Sequence, residues 1–244
     1  ALINQGTLIM QHSERDTVDL TSLDRPVWST LNNHHKNSAI GNDLARRFMP
    51  DVNLFACARD DSEAAIAALD TIIKQREKVY FLQADPVKLP PELTVEMAAL
   101  CVQMVLQKPI STPDDAAEFH LLGDDDVPEM LELTALTNPG PFQPRTHTMG
   151  NYYGIRINGR LAAMAGERMR FPGFTEVSAV CAHPDFRGQG FARRLSAHVA
   201  AGIQARGDIP FLHAWETNTA ARSLYQSLGF ELRHEMHAAV VTKP

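Results

Sequence analysis

A glycine-rich bend between a predicted strand and a predicted helix is the part of the sequence best suited to chemistry. Residues 187–190, Arg-Gly-Gln-Gly, follow a strand predicted over residues 176–182 and precede a helix predicted from Phe191. Glycine lets the backbone approach a ligand closely, and the free amides at a helix N-terminus attract anions. Because Arg193 and Arg194 add positive charge, we predict that this bend binds phosphate groups.

Three nucleotide-binding turns share this logic. A Walker P-loop requires Gly-Lys-Ser/Thr, a triplet that the sequence does not contain. The dinucleotide fingerprint Gly-x-Gly-x-x-Gly finds its first two glycines at Gly188 and Gly190, but Arg193 stands where its third glycine packs helix against sheet. Glu216, after the strand predicted over residues 210–215, stands roughly where a ribose-binding acid belongs. The dinucleotide alternative is therefore open, though Arg193 disfavours it.

The third alternative is a family resemblance carried by two motifs. Residues 187–192, Arg-Gly-Gln-Gly-Phe-Ala, resemble the pyrophosphate turn Arg/Gln-x-x-Gly-x-Gly/Ala of the GCN5-related N-acetyltransferases (GNATs). Arg187 lies eleven residues after Glu176 and three after Pro184, as is usual in these enzymes. Residues 218–230 resemble the second signature of the family, Asn-x-x-Ala-x-x-Leu-Tyr-x-x-x-Gly-Phe. The pair, in order and with a strand between, indicates that residues 118–244 are similar to the FR47-like subgroup.

The resemblance implies that acetyl-CoA is the co-substrate and that it lies in a V between the strands of residues 176–182 and 210–215. Its pantetheine arm would pair with the main chain at Val180, Cys181 and Ala182 and would touch Asn218. The residues implied to bind the pyrophosphate are those of the bend and the first helical turn: Arg187, Gly188, Gln189, Gly190, Phe191, Ala192 and Arg193.

The implied reaction is direct transfer of the acetyl group to a primary amine in a ternary complex. An alkyl amine with a pKa near ~10 must lose a proton before it attacks, and Glu176 is the candidate base. The alternative for Glu176 is a strand-end carboxylate that faces solvent or forms an ion pair. Tyr225 is the candidate acid that protonates the departing thiolate, although its position on an apolar helix face would also suit a core tyrosine.

The acceptor is expected to be an amine of a small molecule or a peptide, since nothing in residues 138–153 names a substrate. Aromatic residues are candidates to line its pocket, with core or surface packing as the alternative: Phe142, Tyr152, Tyr153 and Trp215. A non-catalytic acyl-CoA-binding or regulatory module is the alternative function. Such a module would keep the bend but would not need Tyr225.

Other reactive side chains are predicted to be structural. The three cysteines, Cys57, Cys101 and Cys181, are odd in number and widely spaced, which indicates buried thiols in a reducing compartment. His183 and His213 flank the expected cleft and either assist proton transfer or are structural. The pair at residues 34–35 is predicted in a solvated loop, and residues 234–237 lack the spacing of a zinc-protease motif. We therefore predict no metal site.

The elements that position these residues form an α/β (α+β) protein in which a mixed, mostly antiparallel GNAT sheet is flanked by helices. The predicted divisions are a polar arm (1–16), an N-terminal α/β domain of unknown role (17–112), a linker (113–117) and a GNAT acetyltransferase domain (118–244). The resemblance suggests that the N-terminal domain is a degenerate copy of the same fold. Its pattern predicts helices over residues 39–48, 62–75 and 92–106 and strands over 53–58 and 79–82.

Composition sets the broad class. Of 244 residues, 44% are hydrophobic and 21% charged, which excludes disorder, and no apolar stretch approaches the eighteen residues of a membrane span. The net charge of −6 divides unevenly: residues 1–150 carry 12 basic and 22 acidic residues, and residues 151–244 carry 11 and 7. The basic second part suits a phosphate-bearing ligand and is too weak for nucleic acid. We expect a cytoplasmic protein.

Overall fold

The computed structural model describes residues 19–114 and 118–244. The predicted arm, residues 1–16, and residues 115–117 of the predicted linker lie outside the described residues.

An eight-stranded sheet forms the centre of the described protein. Its strands are β4 (Lys78–Gln83), β5 (Thr94–Val105), β6 (His120–Leu122), β7 (Tyr152–Ile157), β8 (Arg160–Phe171), β9 (Phe174–Ala182), β10 (Ile209–Trp215) and β11 (Glu231–Thr242). Their spatial order is β4-β11-β5-β10-β9-β8-β7-β6. All neighbours are antiparallel except β9 and β10, which are parallel. This confirms the predicted mixed, mostly antiparallel sheet.

Helices and a small second sheet surround this sheet. The helices are α1 (Pro26–Asn32), α2 (Glu63–Ile72), α3 (Val127–Thr137), α4 (Phe191–Ala205) and α5 (Thr219–Ser227). The second sheet is antiparallel and contains β1 (Ala39–Gly41), β2 (Ala45–Phe48) and β3 (Ala56–Ala58). Helices α4 and α5 cover one face of the large sheet, and α1 covers the other. Neighbouring residues of β10 show the two faces, since Leu212 packs under α4 and Phe211 packs against α1.

Local sequence explains several of these elements. The Ser62 side chain accepts a hydrogen bond from the Ala65 amide and thereby begins α2, as predicted. Asn158 and Gly159 form the two-residue turn between β7 and β8, and both have positive φ. Apolar residues one helical turn apart bury one face of α4.

Two predicted helices of the N-terminal part are wrong. Residues 39–48 form β1 and β2, and residues 94–105 of the predicted helix over 92–106 form β5. Methionine, alanine and leucine in β5 favour a helix in isolation. In the folded chain β5 pairs with β11 on one side and β10 on the other, and its side chains alternate: Val102 and Met104 face α4, whereas Cys101 and Val105 face α1. Sheet pairing on both sides therefore outweighs the helical propensity.

The large sheet is continuous across the predicted division at residue 112. Strands β4 and β5 precede that division, yet β5 lies between β10 and β11, which follow it. The described parts before and after the linker therefore share one sheet. The assignment of separate domains stays a prediction, as does the idea that the first is a degenerate copy.

Candidate active site

The site begins where β9 and β10 separate. Their parallel ladder contains three residue pairs and ends at Phe211 and Glu176. Beyond that point β10 continues along β5 up to Trp215, whereas β9 continues along β8. A register shift in the β8–β9 ladder and the positive φ of Ala179 (52°) mark the irregularity in β9. The two strands thus form a fork, and residues 180–182 lie on its β9 arm.

The glycine bend follows this arm and is open. Gly188 and Gly190 have φ of 78° and 76°, a region that favours glycine, and a Cβ on either would meet nothing within 4 Å. Residues 187–190 are exposed. Among the described residues no side chain caps α4 at Gly190, and the amides of Phe191, Ala192 and Arg193 lie in the first helical turn, where no intrahelical acceptor exists. The bend has the free donors and the space that an anion requires.

The arginines near the bend differ in their contacts. Arg187 is exposed. The Arg193 guanidinium reaches the Ser227 carbonyl and hydroxyl at 3.4 Å, which links α4 to the end of α5. Arg194 turns away to Glu118, at 3.0 Å, and lies over Phe119. Arg187 and Arg193 are therefore the arginines of the bend and first helical turn that are not directed to Glu118.

Helix α5 brings the second motif to the same region. The Asn218 side-chain oxygen accepts a hydrogen bond from the Ala221 amide at 3.1 Å and caps α5, and the residue is exposed. Tyr225 packs against Phe230, with 6.0 Å between the ring centroids. Burial raises the pKa of the Tyr225 phenol, and the nearby Cys181 thiol raises it further. The phenol therefore holds its proton at neutral pH.

Glu176 is buried at the base of the fork. Both of its oxygens accept hydrogen bonds from Arg168, Nε at 2.8 Å and Nη2 at 2.6 Å, and Oε1 also contacts His213 Nδ1 at 2.8 Å. Burial acts to raise the pKa of Glu176, but the attraction of Arg168 and the hydrogen bonds to it and His213 lower it to about 2. A carboxylate this weakly basic and this fully paired is a poor proton acceptor. The structure shows the ion-pair arrangement, which disfavours Glu176 as the base, and its catalytic role stays a prediction.

The hydrogen bonds define the tautomer of His213. Gln103 accepts a hydrogen bond from Arg233 through Oε1 and donates one to the Leu23 carbonyl through Nε2. That same Nε2 lies 3.0 Å from His213 Nε2, so the imidazole nitrogen accepts there. Nδ1 consequently carries the proton and donates it to Glu176. Sequence patterns did not single out Gln103, because it lies in the stretch predicted to be helical.

The four aromatic candidates for the acceptor pocket are not all brought together. Phe142 and Tyr152 are buried and in contact, with 5.7 Å between ring centroids. They belong to the same buried cluster as Ala179 of β9 and residues of α3. Tyr153 points to the opposite face, where its ring lies 4.4 Å from that of His198. Trp215 ends β10 and is 37% exposed. Only Phe142 and Tyr152 line a common recess.

The remaining reactive side chains have structural surroundings. All three cysteines are buried free thiols, and burial raises the pKa of Cys181 to about 11 and those of Cys57 and Cys101 to about 12. His35 differs from the solvated-loop prediction, since it is buried and its Nε2 lies 2.9 Å from the Arg168 carbonyl.

Within residues 19–114 and 118–244, no cluster of three or more His, Cys, Asp or Glu side chains is arranged to hold a metal ion. None of the helices in this part of the chain has the length and apolar character needed to cross a membrane.

Comparison with known proteins agrees with this geometry. The family model described as FR47-like protein matches residues 152–238. A crystal structure of a putative GNAT-family acetyltransferase from Novosphingobium aromaticivorans is 41% identical and superposes with a TM-score of 0.86. The match covers 91% of this chain and 98% of that protein. The chain belongs to the GCN5-related N-acetyltransferase family, and acetyltransferases of this family use acetyl-CoA as co-substrate.

Two further relatives are less similar. The N-alpha-acetyltransferase RimI of Mycobacterium tuberculosis is 34% identical over 113 residues, which are 45% of this chain and 65% of RimI. The match therefore spans slightly less than two thirds of that relative. A GCN5-related N-acetyltransferase from Kribbella flavida shares the fold, with a TM-score of 0.58, 17% identity, and coverage of 89% of this chain and 94% of its own.

Proposed function

We propose that this protein transfers the acetyl group of acetyl-CoA to a primary amine of a small molecule or a peptide, by direct attack in a ternary complex. The observation that carries the proposal is the fork between β9 and β10 beside an open, uncapped glycine bend. An extended, amide-containing chain fits an unpaired strand arm, and a diphosphate fits a helix N-terminus. Family membership agrees with both.

Each part of the fork then has a role in binding acetyl-CoA. The main chain of residues 180–182 pairs with the pantetheine amides, and the exposed side chain of Asn218 contacts the same arm. The bend amides hold the pyrophosphate, and Arg187 and Arg193 add charge. The proposed cofactor-binding residues are Val180, Cys181, Ala182, Arg187, Gly188, Gln189, Gly190, Phe191, Ala192, Arg193 and Asn218.

Proton handling follows from the side chains of the fork. Because Glu176 is fully paired, water in the fork takes the proton from the ammonium form of the acceptor. Attack by the amine forms the C–N bond, and a backbone amide near Val180 stabilises the resulting oxyanion. Collapse breaks the C–S bond, and the nitrogen gives up its second proton to water to leave the neutral amide. Tyr225, which still holds its proton at neutral pH, donates it to the thiolate and is reprotonated from solvent.

The test is release of free thiol from acetyl-CoA in the presence of a panel of amines. Tyr225→Phe should lower kcat by about 10²-fold or more while binding of CoA, measured by calorimetry, is retained. Tyr80→Phe is the matched control, since it removes a phenol from β4 at the edge of the sheet. Arg187→Ala should weaken CoA binding, and unchanged affinity would contradict the placement of the pyrophosphate.

CoA binding without turnover across a broad panel would contradict the enzymatic proposal. That result would favour the non-catalytic acyl-CoA-binding module instead.

A further inference from the structure

A groove lies beside the first two turns of α4, next to the glycine bend. One of its walls is the linker segment, residues 110–114, and the other is the end of α5, Ser227 and Leu228. Arg193 and Ala197 of α4 lie between these walls. The groove has a volume of about 360 Å³. That volume lies within the range of about 300–1,000 Å³ found for pockets that hold small organic ligands.

The groove is apolar at the bottom and polar at the rim. Ala197 is buried, and Ile110 and Leu228 are half-buried and pack against the core beneath α4. The exposed residues of the rim are all polar: Ser111, Thr112, Asp114, Arg193 and Ser227. A planar base has apolar faces and polar edges, and the sugar and phosphate that follow it are polar. The groove therefore has the distribution of polarity that a nucleotide requires.

Arg193 belongs both to this groove and to the first turn of α4, where the pyrophosphate is proposed to bind. Ala197 follows it by four residues, which is about 6 Å along a helix axis at 1.5 Å per residue. The groove thus begins at the bend and runs along α4. In the described part of the chain, the Arg193 guanidinium contacts the Ser227 hydroxyl and carbonyl, both neutral groups at 3.4 Å. Its charge therefore remains available to a phosphate.

A single side chain of α4 holds the linker wall in place. Gln204 Oε1 accepts a hydrogen bond from the Ile110 amide at 3.0 Å. Its Nε2 donates to the carbonyls of Lys108, at 2.8 Å, and Leu106, at 3.3 Å. The segment that leaves β5 is thus tied to α4 at three positions before it reaches the groove. The wall is fixed by the sheet at its start and by Gln204 along its length.

We infer that the groove binds the 3′-phosphorylated adenosine of acetyl-CoA. The base lies against Ala197 and Leu228, and the phosphates of the nucleotide lie near Arg193. Because residues 110–114 precede the part of the chain that carries the two motifs, the N-terminal part contributes a wall to the cofactor site. This inference rests on the proposed function, because it extends the binding of the same acetyl-CoA molecule.

The first test fills the bottom of the groove and compares two ligands by calorimetry. Ala197→Leu should lower CoA affinity by about 10–200-fold, the effect of a misfit in an apolar pocket. It should leave the affinity for 4′-phosphopantetheine, which lacks the adenosine, unchanged. Ala201→Leu is the matched control, since Ala201 is also buried on α4, one turn beyond the groove, and CoA affinity should be retained. Unchanged CoA affinity in Ala197→Leu, or an equal loss for both ligands, would overturn the inference.

A second variant releases the linker wall without adding bulk to α4. Gln204→Leu removes the three hydrogen bonds to the linker and should lower CoA affinity by about 2–10-fold, again without effect on 4′-phosphopantetheine. Unchanged CoA affinity in a folded Gln204→Leu protein would contradict the role of the linker. This variant keeps the inference testable if Ala197→Leu does not fold.

Adenosine 3′,5′-bisphosphate separates this inference from the proposed function, because its binding requires no thioester and no turnover. It should bind the wild type in competition with CoA and bind Ala197→Leu more weakly. No binding, or binding that CoA does not displace, would overturn the inference, the latter by indicating a separate nucleotide site. If the bisphosphate competes with CoA in this way while no amine is acetylated, the enzymatic proposal fails and the assignment of the groove stands.

Discussion

Substitution of Glu176 by glutamine separates its structural role from the base role first expected of it. Glutamine retains an oxygen for the His213 Nδ1–H but leaves the Arg168 charge buried and unpaired. Loss of one partner of a buried ion pair costs about 3–5 kcal/mol. The lowered pKa of Glu176, about 2 against an ordinary 4.5, gives the same order of magnitude, about 3 kcal/mol at 1.36 kcal/mol per pKa unit.

The sign of the pH dependence follows from that lowered pKa. A carboxyl whose pKa is lower in the folded state contributes its stabilisation above the unfolded pKa, and that contribution is lost as pH falls toward the folded value. The free energy of unfolding of the wild type should therefore fall by about 3 kcal/mol between pH ~4.5 and pH ~2, because the Glu176 carboxylate becomes protonated. Glu176→Gln should not show this part of the decrease.

Urea unfolding between pH 2 and pH 7, together with the pH profile of kcat/KM, is the appropriate assay. We expect Glu176→Gln to lower the free energy of unfolding at pH 7 by about 3–5 kcal/mol. The additional change Arg168→Met should restore much of it, because the unpaired charge is then gone. A stable Glu176→Gln protein whose kcat/KM profile had lost an acidic limb would refute this reasoning and restore the base role.

The other predictions concern the bend, the sheet and the His213 tautomer. Gly188→Ala should weaken acetyl-CoA binding by about tenfold or more in calorimetry, equivalent to about 1.4 kcal/mol. Gly159→Ala is the control, because Gly159 has a similar φ of 80° but lies in the β7–β8 turn. It should lower the free energy of unfolding by a similar amount and leave acetyl-CoA affinity unchanged. A fragment of residues 118–244 should aggregate in size-exclusion chromatography, because β10 and β11 lose β5 between them, and a folded monomeric fragment would show that the domain division is real. Gln103→Leu should lower the free energy of unfolding by about 1–3 kcal/mol, because it removes the hydrogen bond to His213. Nitrogen NMR shifts of His213 in the wild type should show the proton on Nδ1. A proton on Nε2 would contradict the hydrogen-bond network.

The sequence was most informative where structure is set by near neighbours. The turn at Asn158 and Gly159, the helix start at Ser62 and the bend before α4 each depend on residue types a few positions apart. The helix that begins at Ser62 and the bend before α4 form as predicted. Strand β5 shows the opposite case. Its local preference is helical, and only its two neighbours, distant in sequence, make it a strand.

The sequence by itself determined the family of this protein and the cofactor that the family uses, because two motifs of fixed spacing encode the bend and the start of α5. Only the tertiary structure decided what surrounds them: that Glu176 is paired with Arg168, and that Tyr152 packs against Phe142 while Tyr153 faces His198 on α4. The physical reason is that burial and pairing depend on contacts between distant segments. The spacing of residues along one segment does not specify those contacts.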